Sequence, residues 1–257
     1  MAARSNMTLD RLKTSKPIWI SHRGVKTNAV ENTMRSFQDA VDAGFTHVET
    51  DLRSTVDGQI VLAHDADLSR LTGQGVEIDK CSAETLRSVR LPDGQSLLFF
   101  DEFMAHFGHL AITFDVKPES GERTLVSLAK WLKGRKDADQ LLRRCRFLFW
   151  RDEQRALWLS EFPRAVCLAG ESECLKAGLA MAFRLPIPRA VTPGVTYALL
   201  LSFKGIRTMR PSVVARYHQR GARVLAYLPS NKLEVEASLA AGVDEILTDG
   251  LMVAPRG

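Results

Sequence analysis

Glu49 and Asp51 stand two apart in HVETDLRSTVDGQIVLAHD (residues 47–65), among Val, Thr and Leu residues that mark a buried strand. On a strand, residues two apart project from one face, about 6.6 Å apart along the chain. Two carboxylates so placed repel each other and resist desolvation unless a cation lies between them or they share a proton. Hard divalent ions such as Mg²⁺ or Ca²⁺ are held by oxygen ligands of this kind. Taken alone, the spacing is better served by an ion pair at a strand end, with His47 or Arg53 as partner. Three other apolar runs also end in reactive residues: His22 and Arg23 follow IWIS, His64 and Asp65 follow IVLA, and Asp115 and Lys117 lie in TFDVK. Each has an ordinary reading. His22 would be a hydrogen-bonded core histidine, Lys117 a surface residue ahead of Pro118, and Asp65 a helix cap.

The elements that must position these residues decide between the readings. Short apolar runs alternate with helix-period segments: IWISH is followed by Met34, Phe37, Ala40 and Val41 at helical spacing, with a stop at Gly44. HVETDL and IVLAHD are two further strands joined by turn chemistry at Val56–Gly58, which allows only a tight connection. Residues 66–110 form a longer excursion after this third strand, with helices expected over AETLRSV and FDEFMAHF. AITFDVK, RFLFW, AVCLAG, ALLLSF, RVLAYL and EILTD follow, with helical intervals between most of them. Nine candidate strands without a linker-like break fit an α/β fold, a (β/α)8 TIM barrel in a single domain over 1–257, with residues 1–16 peripheral. One strand is then surplus, and the Pro-rich stretch from Pro186 to Pro193 points to ALLLSF or AVCLAG. In such a barrel the carboxyl ends of the strands share one rim, so the polar residues above would meet in one pocket.

Composition narrows the classes. The chain has 257 residues, 45% hydrophobic and 25% charged, enough for one packed domain. A formal charge of +5 favours anionic ligands without choosing among them. The basic clusters at Lys133–Lys136 and Arg143–Arg146 lack interleaved aromatics, so nucleic acid is not expected as a partner. Cysteines 81, 145, 167 and 174 match neither a zinc pattern nor a disulfide framework, which suits a reducing, cytoplasmic setting. The N-terminal MAARSNMTLDRLKTSKP lacks the apolar centre of a signal peptide, and no apolar run is long enough to span a membrane. His106 and His109 lie three apart with no acid nearby and are read as a satisfied or exposed pair. Glu31 and Asn32 are read as capping and bracing the first helix, Glu31 also being in reach of Arg23.

SHRG, ENT at 31–33, VETDLRSTVDGQIVLAHD and FDVK together resemble the glycerophosphodiester phosphodiesterase family, whose pattern runs HRG, PENT, ExD, TxDG, HD and ExK in this order. The likeness is dense from 20 to 65, thinner through LSRLTGQG, GARVLAYL and AGVDEILTD, and faint over 140–205. It implies that Glu49, Asp51 and Asp115 hold one divalent cation, Mg²⁺ or Ca²⁺. It also implies that His22 and His64 form the acid/base pair, and that Arg23 and Lys117 hold the non-bridging phosphate oxygens. The substrate implied is a small phosphodiester. Peripheral lipid contact is compatible with this, and the oligomeric state stays open. Val30 replaces the usual proline and should loosen the turn into the first helix. Asp115 replaces the usual Glu, and Tyr227 the usual tryptophan. Tyr227 and Trp150 are expected in the substrate pocket, with Phe149 or Trp150 as an apolar wall. A lysophospholipase D-type activity would need an apolar groove, expected within residues 88–107, where LLFF and FMAHF concentrate large side chains. A silent phosphate-binding barrel is the reading of another class, and it leaves an acid/base pair without a use.

Overall fold

The computed structural model describes residues 16–187 and 189–249. The N-terminal segment expected to be peripheral lies outside them, apart from Lys16. In chain order the strands are β1 (Ile18–His22), β2 (His47–Ser54), β3 (Ile60–Leu62), β4 (Ala111–Val116), β5 (Cys145–Phe149), β6 (Val166–Cys167), β7 (Thr196–Leu199), β8 (Ser202–Phe203), β9 (Ile206–Arg207), β10 (Arg223–Tyr227) and β11 (Glu245–Thr248). The helices are α1 (Met34–Asp42), α2 (Ser69–Thr72), α3 (Ala83–Ser88), α4 (Phe100–Phe107), α5 (Gly121–Lys133), α6 (Ala138–Arg144), α7 (Asp152–Glu161), α8 (Glu171–Phe183), α9 (Pro211–His218) and α10 (Lys232–Ala241).

Eight strands run parallel in the order β6-β5-β4-β2-β1-β11-β10-β7. The two ends of that path meet where the Ala169 N–H donates to the Thr196 carbonyl at 3.0 Å, so the sheet curls into the expected TIM barrel. The surplus strand is neither AVCLAG nor ALLLSF, which supply β6 and β7. It is β3, which pairs antiparallel with β2, Leu52 opposite Leu62 and Ser54 opposite Ile60. A parallel neighbour needs a crossover of a dozen or more residues, and the turn through Val56–Gly58 leaves room only for a hairpin. The excursion packs its own cluster of Leu68, Ile78, Leu86, Leu91, Leu97 and Phe99 beside that hairpin. No described helix is long and apolar enough to cross a membrane.

Alternation along the strands sorts the barrel interior into layers. Ile20, Leu168, Leu225 and Leu247 form an apolar layer with Leu148, Ala198 and Tyr227. At the amino-terminal end of the strands the interior is ionic. Arg146 grips Glu245 with both guanidinium nitrogens, at 2.9 and 2.5 Å, and its Nε donates to Thr113 Oγ1 at 2.8 Å. His47 Nε2 meets the same hydroxyl at 3.0 Å.

Burial, reinforced by Arg146, pushes the His47 imidazole down to about 3. His47 is therefore neutral in the fold, while the unfolded chain protonates near the ordinary histidine value of about 6.5. Below that value the unfolded state binds a proton that the native state refuses. Stability should thus fall as pH falls, by about 1.4 kcal/mol per pH unit, until the decline levels off near 3. Replacing His47 by glutamine is expected to remove about one proton's worth of this slope between about pH 6 and about pH 4.5. Urea unfolding across that range measures it, and an unchanged slope would show that His47 is not the group responsible.

Candidate active site

Register places the acids. His22 lies opposite Glu49 across β1 and β2, and Asp51 lies opposite Asp115 across β2 and β4. All four side chains are buried at the carboxyl ends of adjacent strands. Oxygens of Glu49, Asp51 and Asp115 lie within 4.8 Å of one another, and among the described residues this is the group of acids, histidines or cysteines close enough to hold a metal ion. Neither partner considered for a plain ion pair is used: His47 faces Thr113, and Arg53 donates to the His64 carbonyl at 3.0 and 2.7 Å and to Glu119 at 2.8 Å.

The cations that do enter the cluster are Arg23 and Lys117. Arg23 Nε stands 2.9 Å from Asp51 Oδ2, while Lys117 Nζ stands 2.8 Å from Asp51 Oδ1 and 2.5 Å from Asp115 Oδ2. Burial by itself would raise Asp51, yet Lys117 and Arg23, with hydrogen bonds from Lys117 and Asn32, hold it at about 2. Glu49 receives no such help. Burial and the neighbouring charges of Asp51 and Asp115 push its carboxyl well above the usual range. Burial, against Lys117, also raises Asp115. Three buried carboxylates thus face two cationic side chains, and Glu49 Oε2 is buried without a hydrogen-bond partner. Oxygen donors converging within a few ångströms, with negative charge in excess and one oxygen unsatisfied, fit a hard divalent cation.

Both histidines are anchored through Nδ1. His22 Nδ1 lies 2.5 Å from Asp249 Oδ1, and its Nε2 lies 3.9 Å from Glu49 Oε2. Burial, partly offset by the bond to Asp249, lowers the His22 imidazole below the ordinary histidine value. His64 Nδ1 lies 2.7 Å from Asp65 Oδ1, and its side chain is 37% exposed, so it stands at the mouth. His64 reaches the rim on the returning hairpin, where the Ala63 N–H donates to the Asp51 carbonyl at 3.2 Å. Asp65 accordingly does not serve as a helix cap; it orients His64 and binds Arg70 Nε at 2.5 Å.

The loop from Arg23 to Thr33 carries more of the site than its sequence disclosed. Arg23 and Asn32 both adopt left-handed backbone, φ 59° and 56°, and Gly24 between helix and strand has no room for a Cβ, which would fall 2.4 Å from Ser36 Oγ. The Arg23 N–H donates to the Glu49 carbonyl and the Asn32 N–H to the Arg23 carbonyl, which ties the turn to β2. Thr33, not Glu31 or Asn32, caps α1 in a reciprocal box with Ser36. Asn32 instead donates to Asp51 Oδ2 at 2.8 Å, and Thr50 fixes its amide from the other side at 2.9 Å. Glu31 accepts from Arg23 at 3.2 Å and from Arg70 at 2.5 Å, linking this loop to the excursion. Val30 does not loosen the turn. Its N–H, which proline would lack, donates to Asp93 Oδ2 at 3.0 Å. Asp249 lies 227 positions from His22, so only its place after a barrel strand, not its partner, is legible in the sequence.

Trp150 and Tyr227 both reach the site. The Trp150 indole donates to Asp115 Oδ1 at 2.7 Å, and its ring lies 5.5 Å from Lys117 Nζ. Burial, then the charges of Glu49 and Asp115, raises the Tyr227 phenol. Both side chains, together with Phe149, line an apolar cavity of about 350 Å³. The stretch 88–107 supplies no groove: Leu97, Leu98, Phe99, Phe100, Phe103, Met104 and Phe107 are all buried in the packing around the barrel. His106 bonds back to the Glu102 carbonyl and takes no part in the acid cluster.

Residues 22–141 match the glycerophosphoryl diester phosphodiesterase family. The probable glycerophosphodiester phosphodiesterase 2 of Mycobacterium tuberculosis is 29% identical over 122 residues, 47% of this chain and 46% of that protein. A lysophospholipase D of Rattus norvegicus is 48% identical over 59 residues, 23% of this chain and 19% of that protein. The chain thus spans less than half the length of these curated relatives. Among solved structures, the glycerophosphoryl diester phosphodiesterase domain of an uncharacterized M. tuberculosis protein superposes with a TM-score of 0.75 at 15% identity, covering 91% of this chain and 96% of that one. A glycerophosphodiester phosphodiesterase from Agrobacterium tumefaciens gives 0.71 at 18% identity, covering 93% and 100%. The ordered motifs thus stand on one rim of a barrel whose fold these solved structures share, and the stretch that carries most of them, residues 22–141, is the part that matches the glycerophosphoryl diester phosphodiesterase family.

Proposed function

We infer that this chain hydrolyses glycerophosphodiesters to an alcohol and glycerol 3-phosphate, using His22 and His64 as the acid/base pair. The observation that carries the reading is the trio of buried carboxylates beside two histidines whose Nδ1 atoms are already committed to Asp249 and Asp65. That commitment leaves each Nε2 for the substrate. One imidazole takes the proton from the attacking oxygen as the bond to phosphorus forms. The other gives a proton to the alcohol oxygen as its bond to phosphorus breaks, and the two exchange roles in resetting the site. Arg23, through its fork of donors, and Lys117, as a compact charge, hold the non-bridging phosphate oxygens.

Glu49, Asp51 and Asp115 would hold Mg²⁺ or Ca²⁺, which when bound neutralises charge growing on the phosphoryl oxygens. Trp150 fixes the ring of acids from outside by holding Asp115, and Asn32 does the same for Asp51. A single domain, with unpaired cysteines at 81, 145, 167 and 174, suits work in the reducing cytoplasm on a small phosphodiester.

Glycerophosphocholine and glycerophosphoethanolamine are expected to be cleaved, and EDTA to stop turnover. Glu49→Gln should raise the dissociation constant of the cation by at least the ten- to about a hundredfold that loss of an outer partner costs, and turnover should fall with it. Cation titration by calorimetry beside a product assay checks both. Undiminished turnover in EDTA would remove the metal from the reading, and silence toward every diester would favour the binding-barrel alternative.

A further inference from the structure

Arg70, on the short helix α2, directs its guanidinium at two carboxylates of the rim. Its Nε donates to Asp65 Oδ2 at 2.5 Å and its Nη2 to Glu31 Oε1 at 2.5 Å. Each carboxylate in turn holds a group with a part in the chemistry. Asp65 Oδ1 lies 2.7 Å from His64 Nδ1, and Glu31 Oε1 accepts from Arg23 at 3.2 Å. His64 is thus joined to Arg23 by way of Asp65, Arg70 and Glu31. Glu31 is the fixed end of this chain, its side chain 9% exposed against 50% for that of Arg70.

Holding the excursion against the barrel does not need Arg70, because other residues do it. Asp93 accepts from the Val30 N–H at 3.0 Å, and Gln95 accepts from the Arg35 N–H at 3.1 Å and donates to Thr33 Oγ1 at 3.3 Å. Leu68, next to α2, is buried in the excursion's own cluster. The His64 ring has less support. Arg53 holds the His64 backbone carbonyl, but among the described residues the hydrogen-bond partner of the ring is Asp65. The Asp65 carboxylate is 30% exposed and free to turn about its own side-chain bonds unless its second oxygen is held. Arg70 holds that oxygen.

We propose that Arg70 is a positioning residue that acts through Asp65 to set the His64 imidazole relative to the phosphate gripped by Arg23. The inference rests on the phosphodiesterase reading of the site and adds to it a residue from outside the barrel. Arginine suits the task because its planar fork bridges two carboxylates at a set angle, which a single ammonium cannot do. Placement matters at this point: a shift of about 1 Å in a reacting group costs about a hundredfold in rate.

Arg70→Gln is expected to lower kcat for glycerophosphocholine by about ten- to a hundredfold, with KM within about threefold. Tm should fall by less than about 4 °C, since exposed ion pairs contribute little to stability. Arg70→Lys should restore only part of the rate. In His64→Ala, whose residual turnover no longer uses the ring, adding Arg70→Gln should change kcat by less than about twofold. Nitrogen NMR of the His64 ring, assigned against His64→Ala, reads the tautomer without any turnover. The proton of the neutral ring should sit on Nδ1, facing Asp65, and Arg70→Gln should give a mixture of tautomers. Wild-type kcat in Arg70→Gln, an equally large loss on the His64→Ala background, or an unmoved ring spectrum would overturn the assignment. A wild-type protein that cleaves no diester would instead remove the phosphodiesterase reading. The ring spectrum would then still decide the role of the arginine, mixed tautomers in Arg70→Gln supporting it and an unmoved spectrum overturning it.

Discussion

His22→Ala is expected to lower kcat/KM for glycerophosphocholine by about 10²- to 10⁴-fold, the range for loss of a general acid or base, and to change cation affinity little. The reason is geometric. His22 Nε2 stands 3.9 Å from Glu49, too far for a hydrogen bond that would help hold the acids, and Lys117, Trp150 and Asn32 arrange the acids independently. Asp249→Asn tests the anchoring of the same ring. The amide preserves shape but no longer demands Nδ1–H, so the imidazole can settle in the wrong tautomer. Its effect should fall on kcat more than on KM, and the rate should track a shifted pH profile, which a merely structural role would leave in place. Steady-state kinetics across pH, with calorimetric cation titration of each variant, measures these effects. Wild-type turnover in His22→Ala would remove that histidine from the chemistry.

Arg146→Met is expected to be the most destabilising single change in the barrel, at about 3–5 kcal/mol. It strips Glu245, whose side chain is 3% exposed, of a two-pronged partner and leaves a buried carboxylate with only the Arg223 contact at 3.2 Å. For a chain of this size, a loss of ~3 kcal/mol lowers Tm by about 6–12 °C. Adding Glu245→Gln to Arg146→Met should recover much of the loss, because the cost lies in the unpaired charge more than in the pair itself. The ion pair sits at the amino-terminal end of the barrel, away from the acids, so the folded variant should retain its turnover. Thermal unfolding of the single and double variants decides it. A double variant no more stable than the single one would locate the cost in packing instead.

Much of the site was legible because its residues arrive in short ordered motifs and because alternation along a strand is local arithmetic. Glu49 and Asp51 had to share a face, and once the strands were parallel their ends had to share a rim. Strand β3 shows where such reasoning slips. Its apolar run resembled every other strand, and only the brevity of the turn before it, present in the sequence all along, forbade a parallel place in the barrel. Pro-rich blur was the wrong criterion, since β7 forms beside it.

Side-chain pairing across the fold was not legible. Asn32, whose place before α1 suggests a cap, braces Asp51 instead. Asp249 lies 227 positions from the histidine it orients, and Arg146 lies 99 from Glu245. The amino-acid sequence by itself determined which residue types stand at the barrel rim, that the fold is a parallel barrel, and the acids that suit a hard cation. Only the tertiary structure decided which cation faces which carboxylate and where the apolar cavity opens, because both depend on contacts between remote segments that closure of the barrel brings within a few ångströms.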